Sequence, residues 1–303
     1  MGQMQHERLW REYQPLVGMD SQSAAMVDFM DKHQAYLRQW QSEDAQAAVV
    51  IPTYWEMHRI ARMLASLNEM LKINPQLLNV IVADNGSGDA TAEVAKFYGV
   101  EVVVELNKGV GNARQAGLEA TNGNNEIVLT SDADTVVPAE WVVTHSQALL
   151  DPSVVFSGGP VRFLVDQKMP LIEGMLFGVY MTARQKVQER RYRRVPRFQM
   201  AGGANSAFRR DQALEVGYRR VVAGEDGFIR ADLIDKFGGR SVSTMVEVLS
   251  SARRMVDQGL RKRLYMSAEY RLRLLMGMDV QREAPMVYED IRPESEGVWL
   301  RNG

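Results

Sequence analysis

Residues 48–89 read AVVIPTYWEMHRIARMLASLNEMLKINPQLLNVIVADNGSGD, and two structural periods alternate along them. Residues 48–52 and 77–83 are short, continuously apolar runs, as expected of buried strands. Between these runs, apolar residues recur at three- and four-residue steps, which is the spacing of one helix face: Ile60, Leu64, Leu67 and Leu71. The stretch therefore predicts a strand, a helix and a second strand that ends in the turn-forming run at 84–89.

The same alternation continues to residue 134. VEVVVEL (100–106) and EIVLTSDAD (126–134) predict two more strands, and helices are predicted at about 90–97 and 113–120. Four strand–helix repeats with apolar strands indicate a parallel sheet covered by helices on both faces. The second half is less regular. Strands are predicted at 154–163, broken by Gly-Gly-Pro at 158–160, and at 241–249. Helices are predicted at 170–190, 224–237 and 258–277, followed by an irregular tail at 279–303.

Three parts are expected along the chain. Residues 1–47 form a helical extension, because apolar and aromatic residues recur on one helix face: Met26, Phe29, Met30, His33, Leu37 and Trp40. We expect this helix to pack on the main domain; a dimerisation or partner helix is the alternative. Residues 48–255 are predicted to be one α/β domain, with a regular first half (48–150) and a less regular second half (151–255). Residues 256–303 are the C-terminal helix and tail.

The composition excludes several classes of protein. The chain has 303 residues, of which 46% are hydrophobic and none is cysteine, so a disulfide framework and a cysteine nucleophile are excluded. Lys and Arg number 36 against 38 Asp and Glu, which argues against a nucleic-acid-binding protein. No apolar run approaches the ~18–20 residues of a membrane span, and the N-terminus is polar where a signal peptide is apolar. We expect a cytoplasmic protein, with peripheral contact at the inner face of the membrane left open.

Acidic side chains follow two of the predicted strands. Asp84 ends the second strand, and Asp132 and Asp134 end the fourth. Ligands of parallel sheets bind at the carboxyl ends of the strands, and two carboxylates at i and i+2 can hold one hard divalent cation. A solvated turn that merely contains two acids is the alternative. The glycine turn at 109–114 lacks the third glycine of a dinucleotide fingerprint, since Arg114 stands there, and no phosphate-binding P-loop occurs.

Six segments, in this order, resemble the family 2 glycosyltransferases over roughly residues 47–255. They are VIPTYWE (50–56), VADNGSGDAT (82–91), NKGVGNARQAG (107–117), DAD (132–134), GGANSAFR (202–209) and GED (224–226). The resemblance implies a single glycosyltransferase A-type (Rossmann-like) domain with a mostly parallel central sheet flanked by helices. It implies that residues 48–150 are the nucleotide-sugar-binding half and residues 151–255 the acceptor-binding half. It also implies inversion at the anomeric carbon of the donor sugar.

The resemblance also assigns roles to residues. Asp226 is the expected general base, with Glu225 next in line, and Asp132 and Asp134 are the expected ligands of a divalent cation, Mn²⁺ or Mg²⁺. Two further arginines, from the end of the domain, are expected to reach the diphosphate, although a solvated basic strand end is an equal alternative. The full set expected to bind the nucleotide sugar is Pro52, Thr53, Tyr54, Glu56, Asp84, Gly111, Arg114, Asp132, Ala133, Asp134, Gly203, Asn205, Arg253 and Arg254.

Two departures from the family pattern matter. Trp55 occupies a position where Asn is common, and the Gln-x-x-Arg-Trp motif of processive synthases is missing. We therefore expect a non-processive, metal-dependent transfer of a sugar from a nucleotide-diphosphate sugar, with UDP favoured, to an acceptor hydroxyl. A non-catalytic nucleotide-sugar-binding protein on the same fold is the alternative.

The sequence fits several classes of acceptor. Glycan, lipid-linked and small-molecule acceptors all fit, no nucleic acid is expected, and a homodimer is an open alternative. Residues 184–197 carry seven basic residues and one acid. That stretch is either a solvated helix end or a loop that contacts an acidic acceptor or a membrane surface.

Overall fold

The structure is a computed structural model that describes residues 7–8, 10–12, 24–164, 202–219 and 224–253. The helices predicted at 170–190 and 258–277, the basic stretch at 184–197, the tail and Arg254 lie outside the described residues. Within the described part of the chain, no helix is both long enough and apolar enough to cross a membrane.

The first half of the chain alternates strands and helices as predicted. Two short helices precede it, α1 (Ala24–Lys32) and α2 (Ala35–Trp40). The alternation then runs through β1 (Ala47–Thr53), α3 (Met57–Ile73), β2 (Asn79–Asp84), α4 (Thr91–Phe97), β3 (Glu101–Val104), α5 (Val110–Ala120) and β4 (Ile127–Thr130). Strand β4 is shorter than predicted, because the chain turns away from the sheet at the Asp132 segment and Asp132 O accepts from Thr135 N at 3.1 Å.

The second half is more fragmented than the sequence predicted. Its elements are β5 (Thr135–Val136), α6 (Trp141–Leu149), β6 (Val154–Gly158), β7 (Val161–Leu164), β8 (Ser206–Arg209), α7 (Arg210–Val216), α8 (Glu225–Phe237), β9 (Arg240–Ser243) and β10 (Val248–Ser251). The strand predicted at 154–163 is broken at 158–160 as expected, and its two parts, β6 and β7, lie in different sheets. The single strand predicted at 241–249 is wrong, since it is two strands, β9 and β10, that also lie in different sheets. Strand β8 was not predicted.

Seven described strands form one sheet in the order β3-β2-β1-β4-β8-β6-β9. Strands β1 to β4 are parallel, β6 and β9 are parallel, and β8 runs antiparallel to both its neighbours. Thr53 at the end of β1 lies beside Asp84 at the end of β2. The carboxyl ends of the first strands therefore meet at one edge. A second sheet has the order β5-β10-β7.

Helices cover both faces of the large sheet, which confirms the predicted α/β fold class. Val49 and Ile51 of β1 belong to one buried cluster, with α3, α4 and α6, whereas Ala48 and Val50 belong to the other, with α5, α7 and α8. This division follows from the alternation of side chains along a strand. Helix α5 lies very close to the sheet: a Cβ on Gly117 would lie 2.4 Å from Val50 Cγ1.

The N-terminal helices pack against the main domain. Met26, Phe29 and Leu37 are buried in the same cluster as α3. The predicted helix is interrupted near His33, and the second helix begins where Asn68 Oδ1 accepts from the backbone N–H groups at positions 36 and 37, at 2.9 and 3.1 Å. An amide on α3 therefore holds the start of α2 by bonding its free N–H groups.

Candidate active site

A cleft opens at the carboxyl ends of β1, β2 and β4, where helices α5 and α8 begin. Parallel sheets place their ligand sites at this edge. The cleft is lined by Pro52, Thr53, Tyr54, Glu56, Asn85, Val110, Ala113, Arg114, Asp132, Ala133, Asp134, Gly203, Gly224, Glu225 and Asp226.

The turn after β1 forms one wall. Trp55 has a φ of 56°, in the left-handed region, and its N–H donates to Ser87 Oγ at 2.9 Å. A large side chain rarely adopts this conformation, whereas Asn adopts it more readily. This backbone requirement gives a physical reason for the Asn that is common in the family at this position. Glu56, which follows, is buried and accepts from Arg253 Nη2.

The carboxylate at the end of β2 is enclosed by protein. Asp84 is buried; its Oδ1 accepts from Thr53 Oγ1 at 3.2 Å and its Oδ2 accepts from Ser87 N at 3.0 Å. Asn85, not Asp84, lines the cleft. The Asn85 amide donates to two backbone carbonyls and accepts from Gly109 N at 2.8 Å, so it fixes the turn before α5.

Asp132 and Asp134 both line the cleft but differ in their surroundings. The Asp132 side chain is 40% exposed and one oxygen accepts from Arg114 Nη2 at 2.6 Å. Asp134 is buried, and its Oδ1 accepts from Ser250 Oγ of β10 at 3.2 Å. Over the residues that the structure describes, no group of three or more His, Cys, Asp or Glu side chains could hold a metal ion. Two carboxylates fit Mg²⁺ or Mn²⁺ only if other oxygen ligands complete the shell.

Arg114 lies inside the protein at the floor of the cleft. Its side chain is 2% exposed, and its Nη1 donates to Thr130 Oγ1 and, at 2.9 Å, to the Gly203 carbonyl. Its Nε lies 3.2 Å from Glu225 Oε1. The adjacent carboxylates raise the pKa of Arg114, against the effect of burial, so this buried guanidinium is charged.

Two acids begin α8. Asp226 Oδ2 accepts from Gly203 N at 2.7 Å, and its Oδ1 accepts from Gly227 N at 2.8 Å. Burial raises the pKa of Glu225 to about 6; Arg114 opposes this rise and the Asp226 charge adds to it.

Asn205 lies behind the cleft rather than in it. It is wholly buried; its Oδ1 accepts from Trp141 Nε1 and His145 Nε2, both at 2.9 Å. Its amide donates to the carbonyls of Pro160 and Val246, each at 2.9 Å. Asn205 therefore ties helix α6 to two loops.

The structure brings most of the predicted site residues together. Those that line the cleft are Pro52, Thr53, Tyr54, Glu56, Arg114, Asp132, Ala133, Asp134, Gly203 and Asp226. Those that lie outside its lining are Asp84, Gly111, Asn205 and Arg253. Glu225, next in line as the base, also lines the cleft. Residues missing from the predicted set are Asn85, Val110, Ala113 and Gly224, each of which neighbours a quoted motif position.

Comparisons with known proteins agree with this geometry. A family model described as "Glycosyl transferase family 2" matches residues 48–216. A curated relative, the dolichyl-phosphate hexose transferase of Haloferax volcanii, is 32% identical over 111 residues, which cover 37% of this chain and 46% of that protein. The chain thus matches less than half the length of this relative.

Two solved structures are similar in fold. Mannosyl-3-phosphoglycerate synthase from Rubrobacter xylanophilus is 18% identical, with a TM-score of 0.52 over 88% of this chain and 89% of that one. Glucosyl-3-phosphoglycerate synthase from Mycobacterium tuberculosis, in complex with Mn²⁺ and UDP-glucose, is also 18% identical, with a TM-score of 0.49 over 72% of this chain and 73% of that one.

These findings confirm the fold class and the family predicted from the sequence. The predicted class of enzyme, a glycosyltransferase, is that of the matched family. The match runs from β1 to the end of α7 and so includes the strand ends, Arg114 and Gly203. Because the family model spans more than half of the chain, the chain belongs to glycosyl transferase family 2.

Proposed function

We propose that the protein is an inverting, metal-dependent and non-processive glycosyltransferase. It moves a sugar from a nucleotide-diphosphate sugar, with UDP favoured, to an acceptor hydroxyl. The observation that supports this proposal is that one cleft joins the β1 turn, the carboxylates Asp132 and Asp134, and the α8 carboxylate Asp226.

In this proposal the donor sugar nucleotide binds at the end of the cleft that is formed by the carboxyl ends of β1, β2 and β4. Pro52, Thr53 and Tyr54 offer a wall for the base and ribose, and the exposed part of Asp132 faces the cleft. Asp132 and Asp134 would hold Mg²⁺ or Mn²⁺, whose shell donor phosphate oxygens would complete. The bound cation would supply stabilisation of the negative charge on the leaving diphosphate.

The acceptor end is the α8 side. Asp226 is held by the two N–H groups of Gly203 and Gly227, and each carboxylate oxygen keeps a second lone pair. A carboxylate in this position can take the proton of an acceptor hydroxyl while the oxygen attacks the sugar, a step typically worth ~10²–10⁴-fold. Acceptors that offer a hydroxyl are therefore the ones to assay first. Dolichyl phosphate, for which the archaeal relative is named, would attack through a phosphate oxygen and so tests a reaction that needs no such base.

Replacing Asp226 with Asn tests the proposal. The change keeps the shape of the side chain but removes the proton acceptor, together with one of the two backbone hydrogen bonds, because an NH₂ group replaces one carboxylate oxygen. We expect kcat to fall by ~10²–10⁴-fold while UDP affinity stays nearly constant. Asp134→Asn should lower both turnover and metal-dependent donor binding. Asp235→Asn, on the exposed side of the same helix, is the matched control and should behave as wild type.

Three outcomes would count against this assignment. Near-normal turnover of Asp226→Asn would move the base elsewhere, with Glu225 next. Loss of UDP binding in that variant would make Asp226 structural. Binding of nucleotide sugar by the wild type without transfer or donor hydrolysis would favour the non-catalytic alternative.

A further inference from the structure

The peptide units of Gly203 are held from both sides. Its N–H donates to Asp226 Oδ2 at 2.7 Å, and its carbonyl accepts from Arg114 Nη1 at 2.9 Å. Gly203 therefore lies between a buried cation and the carboxylate at the start of α8. Any movement of the arginine would move the backbone group that orients Asp226.

Arg114 is itself fixed in several directions. Besides Gly203, its guanidinium contacts Asp132 at 2.6 Å and Glu225 at 3.2 Å. A guanidinium is planar and presents its donors in a rigid fork, so contacts on different edges define its orientation as well as its position. The residue thus joins β4, the Gly203 segment and α8 at one point.

The close approach of Arg114 explains why residue 203 is a glycine. A Cβ at position 203 would lie 2.2 Å from Arg114 Nη2 and 2.6 Å from its Cζ. These distances are far below van der Waals contact, so any other residue would displace the guanidinium. The neighbouring Gly202 is different, because among the described residues a Cβ there would meet only Val161 Cγ2 at 3.5 Å, an ordinary contact.

We propose that Arg114 is a positioning residue for Asp226, acting through the backbone of Gly203 and through Glu225, rather than a ligand of the nucleotide sugar. This inference rests on the proposed function, in which Asp226 is the base. A base displaced by about 1 Å can lose ~10²-fold in rate. Arg114 therefore sets the distance between the base and the donor end of the cleft.

The pair Gly203→Ala and Gly202→Ala tests the inference. Gly203→Ala displaces Arg114 without removing any charge or hydrogen-bonding group, whereas Arg114→Ala would leave Glu225 buried without its cation. We expect Gly203→Ala to lower kcat by ~10–100-fold with UDP–Mn²⁺ affinity within about twofold of wild type. Gly202→Ala should change neither quantity. A parallel loss of UDP affinity in Gly203→Ala would overturn the proposal, because Arg114 would then act on the donor site, either directly or through its contact with Asp132.

A second measurement does not depend on activity. The backbone amide resonance of Gly227, which donates to Asp226 Oδ1 at 2.8 Å and is present in wild type and in both variants, reports the position of the Asp226 carboxylate in isotope-labelled protein. It should move toward the value of a solvent-exposed amide in Gly203→Ala and stay unchanged in Gly202→Ala. An unchanged resonance with unchanged kcat would refute the positioning role. If the wild type neither binds UDP nor transfers sugar, the proposed function fails, and the resonance alone decides whether Arg114 positions this carboxylate.

Discussion

The buried imidazole of His145 should make the stability of the fold depend on pH. Burial lowers the pKa of His145 from 6.5 to about 4. Its Nε2 donates to Asn205 Oδ1, which also accepts from Trp141, and its Nδ1 bonds Ser157 Oγ at 2.8 Å. The native state therefore holds the neutral ring. As the pH falls through about 6.5, His145 becomes protonated in the unfolded chain but stays neutral in the native state. The native state therefore loses stability until the pH reaches about 4.

The size of this effect follows from the two pKa values. Between about pH 7.5 and about pH 5, protonation of His145 in the unfolded chain lowers the free energy of unfolding by about 2 kcal/mol. At about pH 7.5 this contribution is close to zero. His145→Gln removes the titrating ring but keeps an amide that can donate to Asn205. The variant should therefore not show this ~2 kcal/mol loss of stability between the two pH values. Its overall stability at neutral pH is expected to be lower than that of wild type.

Denaturant unfolding of both proteins at the two pH values measures the difference. Ser157→Ala is the matched control, because it deletes one hydrogen bond of the same cluster and keeps the titrating ring. If wild type and His145→Gln lose the same stability between about pH 7.5 and pH 5, His145 is not buried as a neutral ring and the reasoning is refuted.

UDP binding should require a divalent cation, because Asp132 and Asp134 are the only carboxylates proposed to hold one and donor phosphates must complete its shell. Calorimetric titration of UDP with Mn²⁺ and with excess chelator checks this, and equal affinities would contradict the metal assignment. Gly117→Ala should lower the free energy of unfolding by about 1–3 kcal/mol, since its Cβ would lie 2.4 Å from Val50 Cγ1. Gly123→Ala should change it by less than about 0.5 kcal/mol in the same denaturant assay, because a Cβ there would meet no atom of the described residues within 4 Å.

The first four strands could be predicted because each is a local signal. A continuous apolar run bounded by a turn specifies a buried strand without reference to the rest of the chain. Strand β8 carries no such signal. Ser206–Arg209 is only four residues long and is a strand because β4 and β6 flank it on both sides. The split of 241–249 escaped prediction for a similar reason, since its two ends pair with strands in different sheets.

The residues of the site also fall into those that local sequence predicts and those that depend on distant parts of the chain. Asp132 and Asp134 could be predicted from a turn after a strand, because strand ends converge at one edge of a parallel sheet. Arg114 was predicted in the site, but its contacts with Gly203 and Glu225 could not be, since these residues lie about 90 to 110 positions further along the chain. A charged residue on the inward face of α5 was the one available signal. Asn205 was predicted to bind the donor from the motif alone. The tertiary structure shows that its amide NH₂ group donates both of its hydrogens to backbone carbonyls of the protein.

The antiparallel insertion of β8 bears on how the chain folds as it leaves the ribosome. Strand β4 ends at Thr130 and its outer partner begins at Ser206, about 75 residues later. At a translation rate of roughly 5–20 residues per second, one edge of the β4 backbone stays unpaired for about 4–15 s before β8 is synthesised. During that interval the nascent first half presents an open strand edge of the kind that promotes wrong pairing. We therefore expect ribosome-bound chains stalled shortly before β8 to be the most aggregation-prone, and chains extended beyond it to become protease-resistant.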